Sequence, residues 1–381
     1  MMYPVLYYLL AIAAYPYLIY PFFSFLASLF KANKKYPSYY PPVTVLIAAY
    51  NEVDCIRQKL DNTFMLEYPS DQLKVVVLTD GSTDGTDLAV RADGRAKLLH
   101  DTIRKGKAGA INKAINFIET DIVVCTDANT MLNTEALKEL VKFFQEPLIG
   151  AVAGEKRVLG ISGDHDLSAE GFYWKYESII RVMDSKAFSV TGAAGELYAI
   201  RKELLKPVPD DTICEDLTIT MRVLEMGKRV VYEPLAYGTE NASLSIQDEW
   251  KRKVRIAAGS IQFFERFRLL RFCVKQPFAA FQLISRKLFR WLVVPYVLVV
   301  LLPLSIFLFL NTHDPYVLFM VVVQLVFFGW AISGYFLSKR KNQSGIFYFP
   351  FYFLLANAAI IMGTFQYLRG RSFVLWEKIK R

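Results

Sequence analysis

Three acidic residues concentrate the chemistry open to this chain: Asp80 in Leu78-Thr79-Asp80-Gly81, Asp127 in Thr126-Asp127-Ala128-Asn129, and Asp216 in Cys214-Glu215-Asp216. The first two close strongly apolar runs, Lys74 to Leu78 and Ile122 to Cys125. The third opens a helical pattern whose Leu217, Met221 and Leu224 mark a buried stripe. Buried strands that each deliver a carboxylate at their C-terminal edge make a charged crevice, which is where open α/β sheets take their ligands. A scaffold has no chemical reason to concentrate buried charge, so the trio points to an enzyme. Lys105 and Lys107 bracket Gly106 at a helix-like start, where ammonium groups and free backbone N–H groups suit a diphosphate.

The elements that must position these residues alternate. Val43 to Ala49 reads as a buried strand, Cys55 to Met65 as a helix and Lys74 to Leu78 as a second strand. The Gly81-Ser82-Thr83-Asp84-Gly85 turn follows, then a helix from Thr86. Lys97 to His100, Asp121 to Cys125, Gly150 to Val158 and Glu196 to Arg201 read as further strands. Lys107 to Ile118, Thr134 to Gln145, Leu167 to Ser185 and Glu215 to Met226 read as helices. Such alternation predicts an α/β fold with a mostly parallel central sheet covered on both faces.

The chain is 54% apolar and 15% aromatic, and the excess is localised. Residues 1 to 30 contain no charged side chain, and Trp291 to Leu310, Tyr316 to Leu337 and Ile346 to Leu368 are equally uncharged. Each run is near the ~20 residues a helix needs to cross a bilayer core. The first run lacks a basic leader and a small-residue cleavage site, so it reads as a retained anchor. Lys31, Lys34 and Lys35 follow it, Arg286, Lys287 and Arg290 precede the second run, and Lys339, Arg340 and Lys341 follow the third. The positive-inside rule then puts the soluble part in the cytoplasm of a multi-pass cell-membrane protein. Four crossings leave the tail with Arg369, Arg371, Lys378, Lys380 and Arg381 outside, against the same rule. Either the tail is tolerated there or one run is re-entrant or interfacial.

The expected organisation is a transmembrane helix over 1–30, a cytoplasmic domain over 31–260 and interfacial amphipathic helices over 261–290. Three transmembrane helices over 291–368 and a basic tail over 369–381 complete it. The interleaved aromatic and arginine residues of Ile261 to Phe272 suit a helix lying on a membrane surface. The net charge of +9, from 45 basic and 36 acidic residues, belongs with flanks facing anionic lipid. No nucleic-acid-binding module accompanies it. Cys55, Cys125, Cys214 and Cys273 fit no zinc spacing.

Six motifs then occur in a telling order: Val43 to Glu52, Thr79-Asp80-Gly81-Ser82-Thr83-Asp84, Arg104-Lys105-Gly106-Lys107, Asp127-Ala128-Asn129, Thr191-Gly192-Ala193-Ala194-Gly195 and Glu215-Asp216. Over roughly residues 41 to 260 the chain resembles the family 2 glycosyltransferases. With its flanking spans it is similar to their membrane-integrated branch, which contains the cellulose, hyaluronan and poly-N-acetylglucosamine synthases. The resemblance implies a GT-A nucleotide-sugar-binding domain, an inverting mechanism and a nucleotide-sugar donor, with a UDP-sugar expected.

Each part of such a donor needs a partner. Tyr50 offers a face to the base, and Glu52 and Asp80 can accept hydrogen bonds from base or ribose. The alternative is that Asn51, Glu52 and Ser82 cap turns or helices. Lys107 matches the family's diphosphate position. Asp127-Ala128-Asn129 occupies the place of the family's Asp-x-Asp metal motif, which implies Mg²⁺ or Mn²⁺ held by Asp127 and Asn129. A neutral Asn129 carbonyl binds such a cation more weakly than a second carboxylate. Inverting displacement needs a base for the attacking hydroxyl. On spacing alone Glu215 or Asp216 could serve; the family pattern favours Asp216 and leaves Glu215 to bind substrate.

One departure matters for the product. Polymer-extending members carry Gln-x-x-Arg-Trp where this chain has Arg252-Lys253-Val254-Arg255-Ile256. Arg255 remains available for the diphosphate, while the tryptophan that stacks on the acceptor sugar is replaced by Ile256. The expected acceptor is a polysaccharide or glycan, with single addition to a polyprenyl-phosphate or other lipid-linked acceptor as the alternative. An inactive sugar-nucleotide-binding scaffold is the reading from a different class.

Overall fold

The computed structural model describes residues 3–31, 34–159, 169–241, 245–339 and 345–375. Leu167 and Ser168 of the expected long helix, and Arg340, Lys341, Lys378, Lys380 and Arg381 among the basic flanks, lie outside the described residues.

The chain enters through α1 (Tyr3–Ala14), a π-helical turn and α2 (Tyr20–Leu29). The soluble domain follows as β1 (Val43–Ala49), α3 (Ile56–Phe64), β2 (Leu73–Asp80), α4 (Thr86–Asp93), β3 (Lys97–Asp101), α5 (Lys107–Ala114), β4 (Ile122–Asp127), β5 (Met131–Leu132) and α6 (Ala136–Val141). Then come β6 (Ile149–Leu159), α7 (Ala169–Ala187), β7 (Leu197–Arg201), α8 (Glu215–Glu225), β8 (Arg229–Asn241) and α9 (Ile246–Arg266). The remainder is helical: α10 (Leu269–Lys275), α11 (Pro277–Leu283), a π-helical stretch Ile284–Val293, α12 (Val294–Thr312), α13 (Pro315–Lys339) and α14 (Gly345–Leu368).

One mixed eight-stranded sheet, in the order β3-β2-β1-β4-β7-β6-β8-β5, forms the centre. β3, β2, β1 and β4 are mutually parallel, as the alternating pattern predicts. β7 runs antiparallel to β4 and β6, β8 parallel to β6, and β5 antiparallel to β8. Val45, Ile47 and Val77 pack into one core, and Leu46, Val76 and Leu78 into another on the opposite face. Strands buried on both faces read as continuous apolar runs, which is why β1, β2 and β4 are plain in the sequence. β8 is not, because Arg229, Glu233, Pro234 and Glu240 interrupt it and the β6–β8 register shifts at Gly154/Glu155.

Among the described residues four helices are long and apolar enough to cross a membrane: Pro4–Leu29, Pro277–Thr312, Pro315–Leu337 and Phe349–Leu368. The second carries Arg286, Lys287 and Arg290 inside it, which corrects the expectation that these residues only flank an uncharged run. Arg286 reaches Glu177 and Asp184 of α7 at 2.6 Å each, and Arg290 pairs with Glu177. Tyr20 and Ser24 of α2 donate hydrogen bonds to Asp184 at 2.6 and 2.7 Å. Burial opposes the charge of Glu177, but Arg290 and Arg286 outweigh it and hold the carboxyl well below its usual range. A helix of the soluble domain is thus tied to two apolar helices by buried, mutually neutralised charge.

The stretch Ile261 to Phe272 is not one helix: α9 stops at Arg266, Phe267 is extended, and α10 restarts at Leu269. α14 lies along α9 in the same direction. Tyr352 meets Glu249 at 3.3 Å, Tyr367 meets Glu265, and a Cβ on Gly363 would sit 2.6 Å from that of Ala257. Both ends of this apolar helix therefore contact one amphipathic helix of the catalytic half.

Candidate active site

The C-terminal ends of β1 and β4 open onto one crevice. The loops after β1 and β2 are laced together: Asn51, held at φ +55°, accepts from the Thr83 N–H, while its own N–H donates to Ser82 Oγ. The Glu52 N–H donates to Thr86 Oγ1 at 2.8 Å. Asn51 and Ser82 are thus turn-formers, which leaves the Tyr50 and Glu52 side chains on the wall of a cavity of about 1570 Å³.

Asp80 takes a different post from the one expected. It is 1% exposed and absent from the cavity wall, and its two oxygens accept the backbone N–H groups of Lys105 and Gly106 at 2.7 and 2.8 Å. Its work is to pin the Arg104-Lys105-Gly106 loop that leads into α5. Gly81, at φ +65°, permits this, since a Cβ there would lie 2.8 Å from the Arg104 nitrogen. The pinned loop sets the Arg104 guanidinium 3.5 Å over the centre of the Tyr50 ring. Lys105 itself is exposed and outside the cavity.

Lys107 opens α5 and points into the crevice. Its ammonium lies 2.6 Å from Asp127 at the end of β4, 3.1 Å from Glu215 at the start of α8, and 3.2 Å from the Gly195 carbonyl. Burial disfavours this charge, yet Asp127 and Glu215 outweigh it and keep the ammonium protonated far above its usual range. Burial, opposed by Lys107, leaves the Asp127 carboxyl raised, although its side chain stays 30% exposed to the cavity. Asn129, Glu215, Asp216 and Arg255 share that wall, with Ile256 beside them.

Asp216 stands in the first turn of α8, with its Oδ1 accepting the Leu217 N–H at 2.8 Å. Burial first, and the Glu215 carboxylate second, push its carboxyl up to about 7. Its placement depends on α9: the Ile213 N–H donates to Gln262, and Gly259 leaves room for Cys214, whose sulfur lies 2.4 Å from where a Cβ would stand. A carboxylate poised near neutrality at a cavity wall is suited to general-base work.

Several charged partners escaped the sequence reading. Lys59 is wholly buried and donates to Thr126 Oγ1 at 3.1 Å and to the Thr130 carbonyl, bracketing the Asp127-Ala128-Asn129 turn. Lys156 sits between Glu196 and Glu240. Lys59 shares the face of Ile56, Leu60 and Thr63 on α3, and a charge on that buried stripe was the available signal. Asp127, Glu196, Glu215, Asp216 and Glu240 are thus interleaved with Lys59, Lys107 and Lys156, with Arg252 and Arg255 nearby. Among the described residues no group of three or more His, Cys, Asp or Glu side chains could hold a metal ion alone. Asp127 and Asn129 are hard oxygen donors on one wall, a set that fits Mg²⁺ or Mn²⁺ completed by substrate phosphate oxygens.

The tail closes the opposite side. Gly370, at φ +77°, follows α14, and Phe373, Val374 and Leu375 line the cavity. Val374 lies 3.1 Å from where a Gly106 Cβ would be, against the loop that Asp80 holds.

Residues 44–208 match the family model described as glycosyl transferase family 2. Over 242 residues the chain is 28% identical to the poly-beta-1,6-N-acetyl-D-glucosamine synthase of Staphylococcus aureus (strain MSSA476), covering 60% of this chain. It is 27% identical over 224 residues, 57% of this chain, to the synthase of that name from Staphylococcus epidermidis. The matches span 58% and 54% of those proteins' own lengths. Among solved structures, a mannosyltransferase from Pyrobaculum calidifontis in complex with GDP-Man and Mn²⁺ superposes with a TM-score of 0.74 at 24% identity. That likeness covers 97% of this chain and 100% of the other, and shows a shared GT-A-like fold with a helical C-terminal region.

Asp80→Asn replaces one acceptor oxygen by an NH₂ group facing a backbone N–H. The variant should lose about 1–3 kcal/mol of stability, read as a lower midpoint of thermal unfolding in detergent.

Proposed function

We propose that this chain, which carries a glycosyltransferase family 2 domain, transfers a sugar from a nucleotide-sugar donor to an acceptor hydroxyl by one displacement with inversion. The observation that carries the reading is the convergence of Lys107, Asp127, Glu215 and Asp216 on a single cavity wall. Tyr50 and Glu52 line the nucleoside side, and Asp80 acts through the loop it pins. Lys107 and Arg255 supply positive charge for the diphosphate, Glu215 keeps Lys107 in place, and Asp216 takes the proton of the attacking hydroxyl. The acceptor oxygen bonds to the anomeric carbon as the bond to the diphosphate breaks. Mg²⁺ or Mn²⁺, held by Asp127 and Asn129, would neutralise charge on the departing diphosphate.

The names of the staphylococcal relatives favour a glycan acceptor, and a UDP-sugar is the donor that the family resemblance implies. Ile256 on the cavity wall in place of the acceptor-stacking tryptophan favours the second reading, single addition to a lipid-linked acceptor. An inactive scaffold fits poorly with a carboxyl poised near 7 beside four further buried or half-buried acids.

The packing of α14 along α9 supports a membrane arrangement of three crossings, by α1–α2, by Pro277–Thr312 and by α13, with α14 at the surface. In that arrangement the catalytic domain and the tail share the cytoplasmic side, and the charge conflict of a four-crossing chain does not arise. A green fluorescent protein fused at the C-terminus should fluoresce in a bacterial host and an alkaline phosphatase fusion should be inactive; the reverse pair would restore the fourth crossing.

Asp216→Asn should lower transfer by about 10²- to 10⁴-fold and leave nucleotide binding intact. The wild-type rate should climb with pH and level off above about 7, as the Asp216 carboxyl ionises. A carboxyl raised on folding binds its proton more tightly in the native state, so stability falls as pH rises toward that value. At pH above it, Asp216→Asn should therefore melt no lower than wild type, separating lost chemistry from lost fold. Full activity in a chelator would remove the metal role of Asp127 and Asn129; loss restored by Mn²⁺ or Mg²⁺ is the expected result.

A further inference from the structure

Beyond the donor machinery, the cavity continues past Asp216 to the apolar helices, where four cations line it: Arg181, Arg286, Lys287 and Arg290. Two are neutralised. Arg286 and Arg290 divide Glu177 and Asp184 between them, and Arg290 also reaches the Tyr173 hydroxyl at 3.1 Å. The other two are matched less closely. Among the described residues Arg181 and Lys287 make no hydrogen bond or ion pair, and feel the acids Glu177 and Asp216 only at longer range. Arg181 lies 5.9 Å from the Trp174 ring and Lys287 5.1 Å from the Trp291 ring. Half-buried cations that face a cavity with no hydrogen-bonded counter-charge gain from an anion that supplies one.

Their position ties them to the acceptor. The Lys287 ammonium lies 2.7 Å from where a Cβ on Gly192, a residue at φ +113°, would stand. Three residues on, the same position on Gly195 is 3.3 Å from Asp216 Oδ2. Lys287 is thus one short loop from the base, on the side where Tyr17, Trp330 and Phe353 of the apolar helices complete the wall. The donor diphosphate has Lys107, Arg255 and the Asp127–Asn129 pair, leaving Arg181 and Lys287 for a different anion.

We infer that Arg181 and Lys287 form an anion subsite for a phosphoryl group carried by the acceptor, an inference that rests on the glycosyltransferase reading of this cavity. An arginine fork beside a lysine point charge suits phosphate oxygens. With the phosphoryl group held there, a sugar hydroxyl of the same acceptor faces Asp216. The chemistry is shared by a polyprenyl-phosphate-linked saccharide and by a soluble sugar phosphate.

The test measures binding of the purified full chain, with saturating nucleoside diphosphate filling the donor side. One probe is phosphatidylcholine vesicles with and without a polyprenyl phosphate, and the other is inorganic pyrophosphate. Arg181→Gln and Lys287→Gln should each weaken binding of a phosphate probe by about tenfold, the scale of one charge-assisted hydrogen bond. Their affinity for the nucleotide should stay unchanged, which also reports that they fold. Loss confined to the lipid probe assigns a lipid-linked acceptor, and loss with pyrophosphate and no lipid preference assigns a soluble one. Unchanged phosphate binding in both variants, no phosphate binding by wild type, or an equal loss of nucleotide affinity would each overturn the inference. Phosphate binding needs no turnover. Variant-sensitive binding by a protein that transfers no sugar would remove the reaction and keep the subsite, whereas transfer with indifferent variants would do the reverse.

Discussion

A buried ammonium group is the constraint on which the crevice depends. Asp127 and Glu215 keep the Lys107 ammonium charged against burial, and the ammonium in turn holds the two side chains together. The pairing joins the end of β4, the start of α5 and the start of α8, segments far apart in the chain. It also divides the acids by function. Glu215 is committed to Lys107, while Asp216, next to it and unpaired with the ammonium, carries the cost of burial and of its neighbour's charge as a raised affinity for a proton. Adjacent carboxylates pushed apart by their surroundings are suited, on the proposed reading, to a charged floor for a diphosphate and to a base near neutrality.

The frame for this cluster is braced from two directions. Asp80 fixes the loop before α5 through two backbone N–H groups, so a carboxylate outside the cavity decides where Lys107 begins. On the other side, α9 fixes the segment before α8 through Gln262 and Gly259, so an amphipathic helix at the membrane end decides where Asp216 points. The Arg286–Glu177–Arg290 and Asp184 network then anchors α7 to the apolar helices. Catalytic and membrane parts therefore share buried charge and one continuous cavity.

What could be read from the sequence was whatever follows from local pattern. β1, β2 and β4 show as apolar runs because both faces are buried, and Asp80, Asp127 and Asp216 stand out because a charge ends or begins such a run. Partnerships across the chain were invisible: nothing local joins Lys107 to Glu215, and Asp80 looked like a ligand group because a carboxylate that binds backbone N–H groups has the same sequence signature. Lys59, one lysine on an expected helix, was not singled out, and Arg286 and Arg290 passed for a membrane flank. α14 is the sharpest case, since a helix packed along α9 and a helix immersed in lipid have the same apolar composition. Its packing on α9, from Tyr352 with Glu249 through Gly363 against Ala257 to Tyr367 with Glu265, has no local sequence signature.

The central claim is a single in-line displacement served by one base, and the anomeric configuration of the product tests it most directly. Purified full chain supplied with an α-linked nucleotide sugar and a panel of lipid-linked and free glycan acceptors would give a product whose new linkage is read by NMR. Inversion to the β configuration is the predicted result. Retention of the α configuration would require a covalent or front-face route and would contradict the role assigned to Asp216.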